Sequence, residues 1–288
     1  MPELPEVETL KKDLAKAVVG RTVADVTVKW PKLVKPLSPT VFSNALKNKK
    51  IKAVARRGKM LILGLTDGNY ILVHLKMTGQ LIFAPKRGHV VYGGHPQKNG
   101  TIDLPNKYTR VIVSFQDGTK LFFNDLRKFG WMRYVTPMQL AEVEQAYGVE
   151  PLTKEFTLIF FRELCTRFPN RPIKQLLMDQ HLIAGIGNIY ADESCFSAKV
   201  LPMRAVKTLT PKEISALYQS IPKVLRLSIS KKGTSFSDYV QLDGKEGKMV
   251  KWLNVYNKKN QHCKRCPGII TKIKLNGRGT HFCPQCQQ

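Results

Sequence analysis

Cys263-x-x-Cys266 and Cys283-x-x-Cys286 stand near the end of the chain, separated by a short basic stretch. Two knuckles at this spacing leave few folds open to the segment that carries them. Four thiolates suit a tetrahedral structural zinc ion and leave no position for a catalytic water. Redox pairs are the competing reading; the paired spacing favours the metal. The ion would fold a small β-hairpin that can hardly bury a core alone. Arg278 and His281 fall on or near its second strand. An exposed Arg278 there would enter a groove or touch a phosphate. His281 is not expected as a ligand, because four cysteines suffice. Cys165 and Cys195 stand alone and read as inert core thiols.

Composition widens the argument. A chain of 288 residues suggests two domains, each able to bury a core. Lys and Arg number 47 against 21 acidic residues, a formal charge of +26, which implies a polyanionic partner, most simply nucleic acid. No long apolar span, secretory signal or basic amphipathic anchor is found, so an anionic membrane is set aside. A cytoplasmic location is expected, where disulfides are not the default. A ribosomal or chromatin role would also suit the charge, but 43% hydrophobic content argues for folded, enzyme-like domains.

The chain begins Met1-Pro2-Glu3-Leu4-Pro5-Glu6. Removal of Met1 would turn Pro2 into a secondary amine, able to attack an electrophilic carbon and form an iminium. Glu3 and Glu6 would then supply a proton donor and an electrostatic partner. Taken alone, the plainer reading leads. Leu4, Val7, Leu10, Leu14 and Val18 follow at helical spacing, Gly20 is a good stop, and acids suit a first turn.

After that helix the chain reads mostly as strands: Ala24 to Trp30, Ile51 to Ala55, Met60 to Leu65, Tyr70 to Lys76, Arg110 to Phe115, Lys120 to Phe123 and Trp131 to Val135. Asp117-Gly118 marks a hairpin between two of them. Pro39 to Asn48 is a candidate second helix, and residues 84–108 read as a long surface loop. The pattern predicts an antiparallel sandwich or barrel with the first helix packed on it. Pro137, Gly148 and Pro151 mark a linker over 136–152. Helices are predicted at Glu155 to Arg167, Ile173 to Asp179, Ile189 to Ala198 and Pro211 to Ser230. Expected boundaries are 1–135 for the β-domain, 153–250 for the helical domain and 251–288 for the zinc segment.

Several inner motifs have two readings. In Gly185-Ile-Gly187-Asn188 the glycines permit a tight turn and Asn188 caps or opens a helix, whose N–H groups suit a phosphate. No strand precedes it, so a dinucleotide fold fails its context test. In Asp125-Leu-Arg127-Lys-Phe129-Gly130, an aromatic beside an arginine at a loop tip can wedge into duplex DNA; a core Phe and a surface Arg is the commoner outcome. Met77 in His74-Leu-Lys-Met77-Thr-Gly79 is core packing on the plain reading. Arg56-Arg57-Gly58-Lys59 is either a solvated basic turn or a lysine delivered to phosphate or sugar.

Read together, PELPEVET at 2–9, RRGK at 56–59, HLKMTG at 74–79, DLRKFG at 125–130, GIGNIYADE at 185–193 and the paired knuckles resemble the formamidopyrimidine-DNA glycosylase/endonuclease VIII family, in its order and over nearly the whole chain. The start is similar to the formamidopyrimidine branch. The resemblance implies an α+β chain of two domains: an N-terminal helix on an antiparallel β-sandwich, then a helix-two-turn-helix domain ending in a zinc-bound hairpin. It implies a monomeric base excision repair glycosylase with abasic-site lyase activity, acting on oxidised purines in double-stranded DNA and holding one structural zinc. It implies Pro2 as nucleophile, Glu3 as proton donor, Glu6 as support for the iminium or the helix start, and Lys59 as the lysine that contacts phosphate and assists proton transfer. Met77, Arg127 and Phe129 match the residues that fill the void left by a flipped base. Lys174, Asn188, Tyr256 and Arg278 match backbone contacts, with Arg278 also tied to the second elimination. Residues 233–249 correspond to the loop that caps the damaged base. Tyr108 stands where many members carry a histidine, which places that DNA contact on a different side chain. The rivals are an oxidised-pyrimidine enzyme of the endonuclease VIII type and a noncatalytic zinc-ribbon protein that binds damaged DNA.

Overall fold

The structure is a computed structural model that describes residues 1–86, 104–234 and 248–288, and the backbone of 91–94. Most of the expected capping segment, residues 235–247, lies outside the described residues. The chain divides into two compact units, Met1–Gln145 with Lys231–Val250, and Ala146–Ser230 with Lys251–Gln288. Residues 231–234 and 248–250, expected with the helices, group with the first unit instead, where the Thr234 N–H donates to Glu6 Oε1 at 2.8 Å. The zinc segment shares one unit with the helices rather than standing apart.

In the first unit, α1 (Leu4–Val18) begins at Glu3 with a reciprocal capping box between Glu3 and Glu6. Its buried residues Val7, Leu10, Leu14 and Val18 enter a core shared by two antiparallel sheets. One sheet has five strands in the order β1 (Val23–Val28), β7 (Thr109–Phe115), β8 (Lys120–Asp125), β5 (Gly79–Ala84) and β6 (Val91–Gly94). The other has β2 (Ile51–Arg57), β3 (Met60–Leu65), β4 (Tyr70–His74) and β9 (Trp131–Val135). Inward side chains such as Leu61, Leu63 and Val73 from one sheet and Leu81, Val111 and Phe123 from the other fill the space between. Helix α2 (Pro39–Leu46) is capped by Ser38 and buries Phe42 and Leu46.

Two expectations are corrected here. The 84–108 segment, expected as loop, contains the edge strand β6, which pairs with β5 from Phe83↔Val91 to Gln80↔Gly94. The expected linker contains α3 (Pro137–Gln145), a helix with no buried residue.

In the second unit, α4 (Leu158–Arg167), α5 (Ile173–Met178), α6 (Asn188–Ser197) and α7 (Pro211–Ser230) surround a core of Phe161, Leu176, Ile183, Tyr190 and Leu217 among others. Helix α4 starts at Leu158 because Thr157 caps it, its Oγ1 accepting from the Phe160 N–H. The two turns between α5 and α6 wrap the Gln180 side chain. It donates to Met178 O and Ile186 O and accepts from the Gly185 N–H. The chain ends in a hairpin of β10 (Thr271–Leu275) and β11 (Arg278–Phe282). Among the described residues no helix is long and apolar enough to cross a membrane.

Candidate active site and nucleic-acid interface

Pro2, Glu3 and Glu6 are buried at the start of α1, while Met1 is exposed. Glu6 is the connector of the group. Its Oε2 accepts from the Glu3 N–H at 3.0 Å, and its Oε1 accepts from both the N–H and the hydroxyl of Thr234 at 2.8 and 3.0 Å. One carboxylate thus fixes the backbone next to Pro2 and the Gly233–Thr234 segment together.

Lys59 lies at the tip of the β2–β3 hairpin. Arg57 pairs with Met60, so Gly58 and Lys59 are the two turn residues. Gly58 has φ +56°, the left-handed value that the first position of such a tight turn demands. The turn delivers Lys59 to a buried position, 6% exposed, rather than to the open solvent expected of a basic turn. Arg56 anchors the hairpin to α1 through Glu8, Nε to Oε2 at 2.9 Å. Burial pushes the Glu8 carboxyl up, but Lys11 and Arg56 outweigh it and hold the group below its usual range.

Met77, Arg127 and Phe129 belong to two neighbouring crossovers. Residues 75–78 carry the chain from β4 in one sheet to β5 in the other, and residues 126–130 return it from β8 to β9. Because β4 pairs with β9 and β5 with β8, the two crossovers run side by side. Met77 is 37% exposed and Phe129 53%, so neither is the core residue of the plain reading. Arg127 lies over the Phe129 ring at 4.6 Å. Asp125, fully buried, straps the crossovers together: it accepts from the Thr78 hydroxyl, the Arg127 N–H and the Gly130 N–H. Gly79 permits the approach, since a Cβ there would stand 2.4 Å from Leu75 O. Tyr108 is tied to the same place by the Asp125 N–H, which donates to its carbonyl at 2.9 Å.

His74 borders these crossovers. Its Nδ1 accepts from the Lys76 N–H at 3.0 Å, which leaves the ring proton on Nε2. Burial, then the positive charges of Lys76 and Lys59, push its pKa down to about 3. It is a neutral donor held among lysines.

In the second unit Asn188 is the first residue of α6, with Gly187 as the cap. Its Nδ2 donates to Gly279 O at 3.0 Å. Lys174 is not on the surface. It is 1% exposed, pairs with Asp192 at 2.7 Å, and donates to Gly279 O and Thr280 Oγ1. A lysine so enclosed braces the hairpin in this structure, whereas the sequence reading expected a phosphate contact. Arg278 is exposed beside the Asn276-Gly277 turn, and Tyr256 is half-buried with its ring against His281.

The four cysteine Sγ atoms lie within 4.8 Å of one another, with Cys263–Cys286 at 3.8 Å and Cys266–Cys283 at 3.4 Å. Tetrahedral zinc with sulfur ligands at ~2.3 Å requires separations of about 3.8 Å, so the donor set fits the ion. Among the described residues the local core is Phe196, Val255, Ile270 and the cysteines, too small to fold the hairpin without it. Arg265 donates to Cys286 Sγ, and Gln287 accepts from the Cys283 N–H. Cys165 and Cys195 are buried, and burial raises both thiols, Cys165 to about 11.

Residues 1–132 match the formamidopyrimidine-DNA glycosylase N-terminal domain, 147–239 the formamidopyrimidine-DNA glycosylase H2TH domain, and 260–288 a zinc finger found in FPG and IleRS. The chain belongs to the formamidopyrimidine-DNA glycosylase family. The formamidopyrimidine-DNA glycosylase of Pelotomaculum thermopropionicum is 37% identical, covering 100% of this chain and 99% of its own. A Lactococcus lactis FPG mutant in complex with a Fapy-dG containing DNA superposes with TM-score 0.87 at 35% identity, covering 100% of both chains. The wild-type Lactococcus lactis FPG, in complex with an oxidized pyrimidine containing DNA, gives TM-score 0.86 at 35% identity over 100% of both chains. Membership makes this chain a DNA glycosylase of base excision repair with a zinc finger of four cysteines. His74 and Asp125 are residues of the candidate site to which sequence reasoning assigns no role, and Thr234 reads only as part of the 233–249 segment. His74 and Asp125 stood inside quoted motifs, but nothing in spacing separates a buried hub from a surface acid.

Proposed function

We propose that this glycosylase is bifunctional: it excises oxidised purines such as 8-oxoguanine and formamidopyrimidines from duplex DNA and then cleaves the strand. The observation that carries the reading is the enclosed cluster of Pro2, Glu3 and Glu6 at one helix start, tied through Glu6 to Thr234. Once Met1 is removed, the Pro2 nitrogen lone pair attacks C1′. The bond from C1′ to the base breaks, and the base leaves with those electrons and a proton. Glu3 gives a proton to the ring oxygen as the sugar opens to an iminium. That cation acidifies the C2′ proton; its removal forms a C2′–C3′ double bond and expels the 3′ phosphate. A second elimination, assisted by Arg278, releases the 5′ phosphate. Lys59 contacts phosphate and moves protons in these steps.

Binding precedes chemistry. The base must leave the stack, at a cost of a few kcal/mol. Met77 and Arg127 occupy the vacated space and Phe129 wedges the opposite strand. Tyr108, Asn188, Tyr256 and Arg278 hold the backbone with little sequence preference. The enzyme works as a monomer in the cytoplasm, with Pro2, Glu3 and Lys59 of the first unit in the chemistry and Asn188, Tyr256 and Arg278 of the second in the backbone grip.

A second reading is supported by the oxidised-pyrimidine complex of the Lactococcus lactis protein: the pocket accepts damaged pyrimidines as well. Cleavage of matched duplexes with one oxidised purine or one oxidised pyrimidine tests both. Faster cleavage of the purine duplex is expected; preference for the pyrimidine would move the chain to the endonuclease VIII type of activity.

A further inference from the structure

Helix α6 is buried all round from Tyr190 to Phe196, yet Asp192 and Glu193 stand in its middle. Two adjacent carboxylates without contact with water are expensive unless each has a full set of donors. Glu193 has such a set from residues 254–256, while Asp192 takes the His281 N–H on Oδ2 and meets the Lys174 ammonium of α5 with Oδ1, which has no hydrogen bond of its own.

Asp192 faces the zinc hairpin. It accepts from the His281 N–H at 2.9 Å, contacts His281 Nδ1 at 3.2 Å and pairs with Lys174 Nζ at 2.7 Å. Lys174 and Asn188 in turn both donate to Gly279 O. That carbonyl follows Arg278 directly in the chain. Glu193 faces the other segment. Three successive backbone N–H groups, of Asn254, Val255 and Tyr256, converge on its carboxylate at 2.9–3.0 Å, joined by the Asn254 side-chain amide. The circuit closes outside the helix, where the Tyr256 ring packs edge-on against the His281 ring with centroids 4.9 Å apart.

We propose that Asp192 and Glu193 are positioning residues of the DNA-backbone grip: Asp192 fixes Arg278, and Glu193 fixes Tyr256, relative to Asn188 at the start of the same helix. The two acids address the two segments that carry backbone contacts, from consecutive positions. The grip is therefore set before DNA arrives, and binding does not have to order it. The inference rests on the reading of Arg278 and Tyr256 as DNA contacts.

Asp192→Asn keeps the shape and removes the charge that faces Lys174 and the His281 ring. Its affinity for a duplex holding a stable abasic-site analogue is measured in the full chain at fixed salt, alone and combined with Arg278→Ala. Asp192→Asn is expected to weaken binding by about 10-fold alone, and by less than about 2-fold once Arg278 is gone, a coupling of about 1 kcal/mol. Zinc should stay at one per chain. The same loss in both backgrounds, or no loss in either, overturns the positioning role. Arg278→Ala that binds as tightly as the unchanged protein overturns the parent reading of Arg278 instead, and with it this one.

His281 offers a test that leaves both acids and the backbone contact in place. His281→Ala loses the ring's contacts with Asp192 and with the Tyr256 ring and should weaken binding, while His281→Asn, which keeps a donor near Nδ1, should restore the part that runs through Asp192. Equal behaviour of the two variants also overturns the proposal. For Glu193, the partner substitution is Tyr256→Ala, with Glu193→Gln expected to show the same dependence on background.

Discussion

Asp125 holds Gly130 by its backbone, Oδ2 accepting the N–H at 2.7 Å from a fully buried position. Its other oxygen takes the Arg127 N–H and the Thr78 hydroxyl, so one side chain sets both crossovers that carry Met77, Arg127 and Phe129. Asp125→Asn turns one acceptor into a donor that faces another donor. We expect a loss of about 1–3 kcal/mol in urea unfolding, the usual result of leaving a buried donor unmet. Base flipping, followed with a fluorescent base analogue opposite the lesion, should slow. Unchanged stability and flipping would remove Asp125 from the wedge.

His74 should remain neutral well into the acid range. Its pKa in the folded chain is about 3, depressed first by burial and then by Lys76 and Lys59. An unfolded histidine titrates near ~6.5. The folded pKa is the lower one, so the unfolded chain takes up more protons between those values. The contribution of His74 to stability is complete above about pH 6.5 and is lost as pH falls toward 3. Ring chemical shifts that stay those of neutral imidazole at about pH 5 would bear this out; a midpoint near the unfolded value would contradict it.

Much of the fold was legible because its signals are periodic or punctuated. The Leu4–Val18 spacing, the Asp117-Gly118 turn and the paired knuckles each name their element. Strand β5 was missed because its apolar run starts inside a motif, at the Gly79 that lets the chain pass Leu75. Helix α3 was missed because it buries nothing, so no apolar stripe marks it. The site was legible as motifs and opaque as connections. Lys174 reads as a surface cation in any sequence, and only the fold sets it against Asp192. Asp192 and Glu193 look like solvent-facing acids for the same reason.

Glu6 makes a separate claim. Thr234→Val removes one of its donors and leaves the backbone N–H in place. We expect a loss of about 1 kcal/mol in stability, with excision falling more than DNA affinity, because the helix start carrying Pro2 loosens while the backbone grip does not. Equal loss in both would place Thr234 outside the active site.

The zinc site is tested by Cys283→Ser. Elemental analysis should find the metal gone, and DNA affinity should fall as the hairpin carrying Arg278 unfolds. Full zinc stoichiometry in that variant would contradict the four-thiolate assignment.

The nucleophile is the centre of the account. Borohydride reduction of a reacting mixture, with lesion-containing duplex and protein whose Met1 has been removed, converts any iminium into a stable cross-link. We expect a covalent protein–DNA adduct whose peptide mapping places the sugar on Pro2, and no adduct from protein that retains Met1 but still binds DNA. Bound DNA without an adduct, or an adduct and full strand cleavage with Met1 in place, would contradict it.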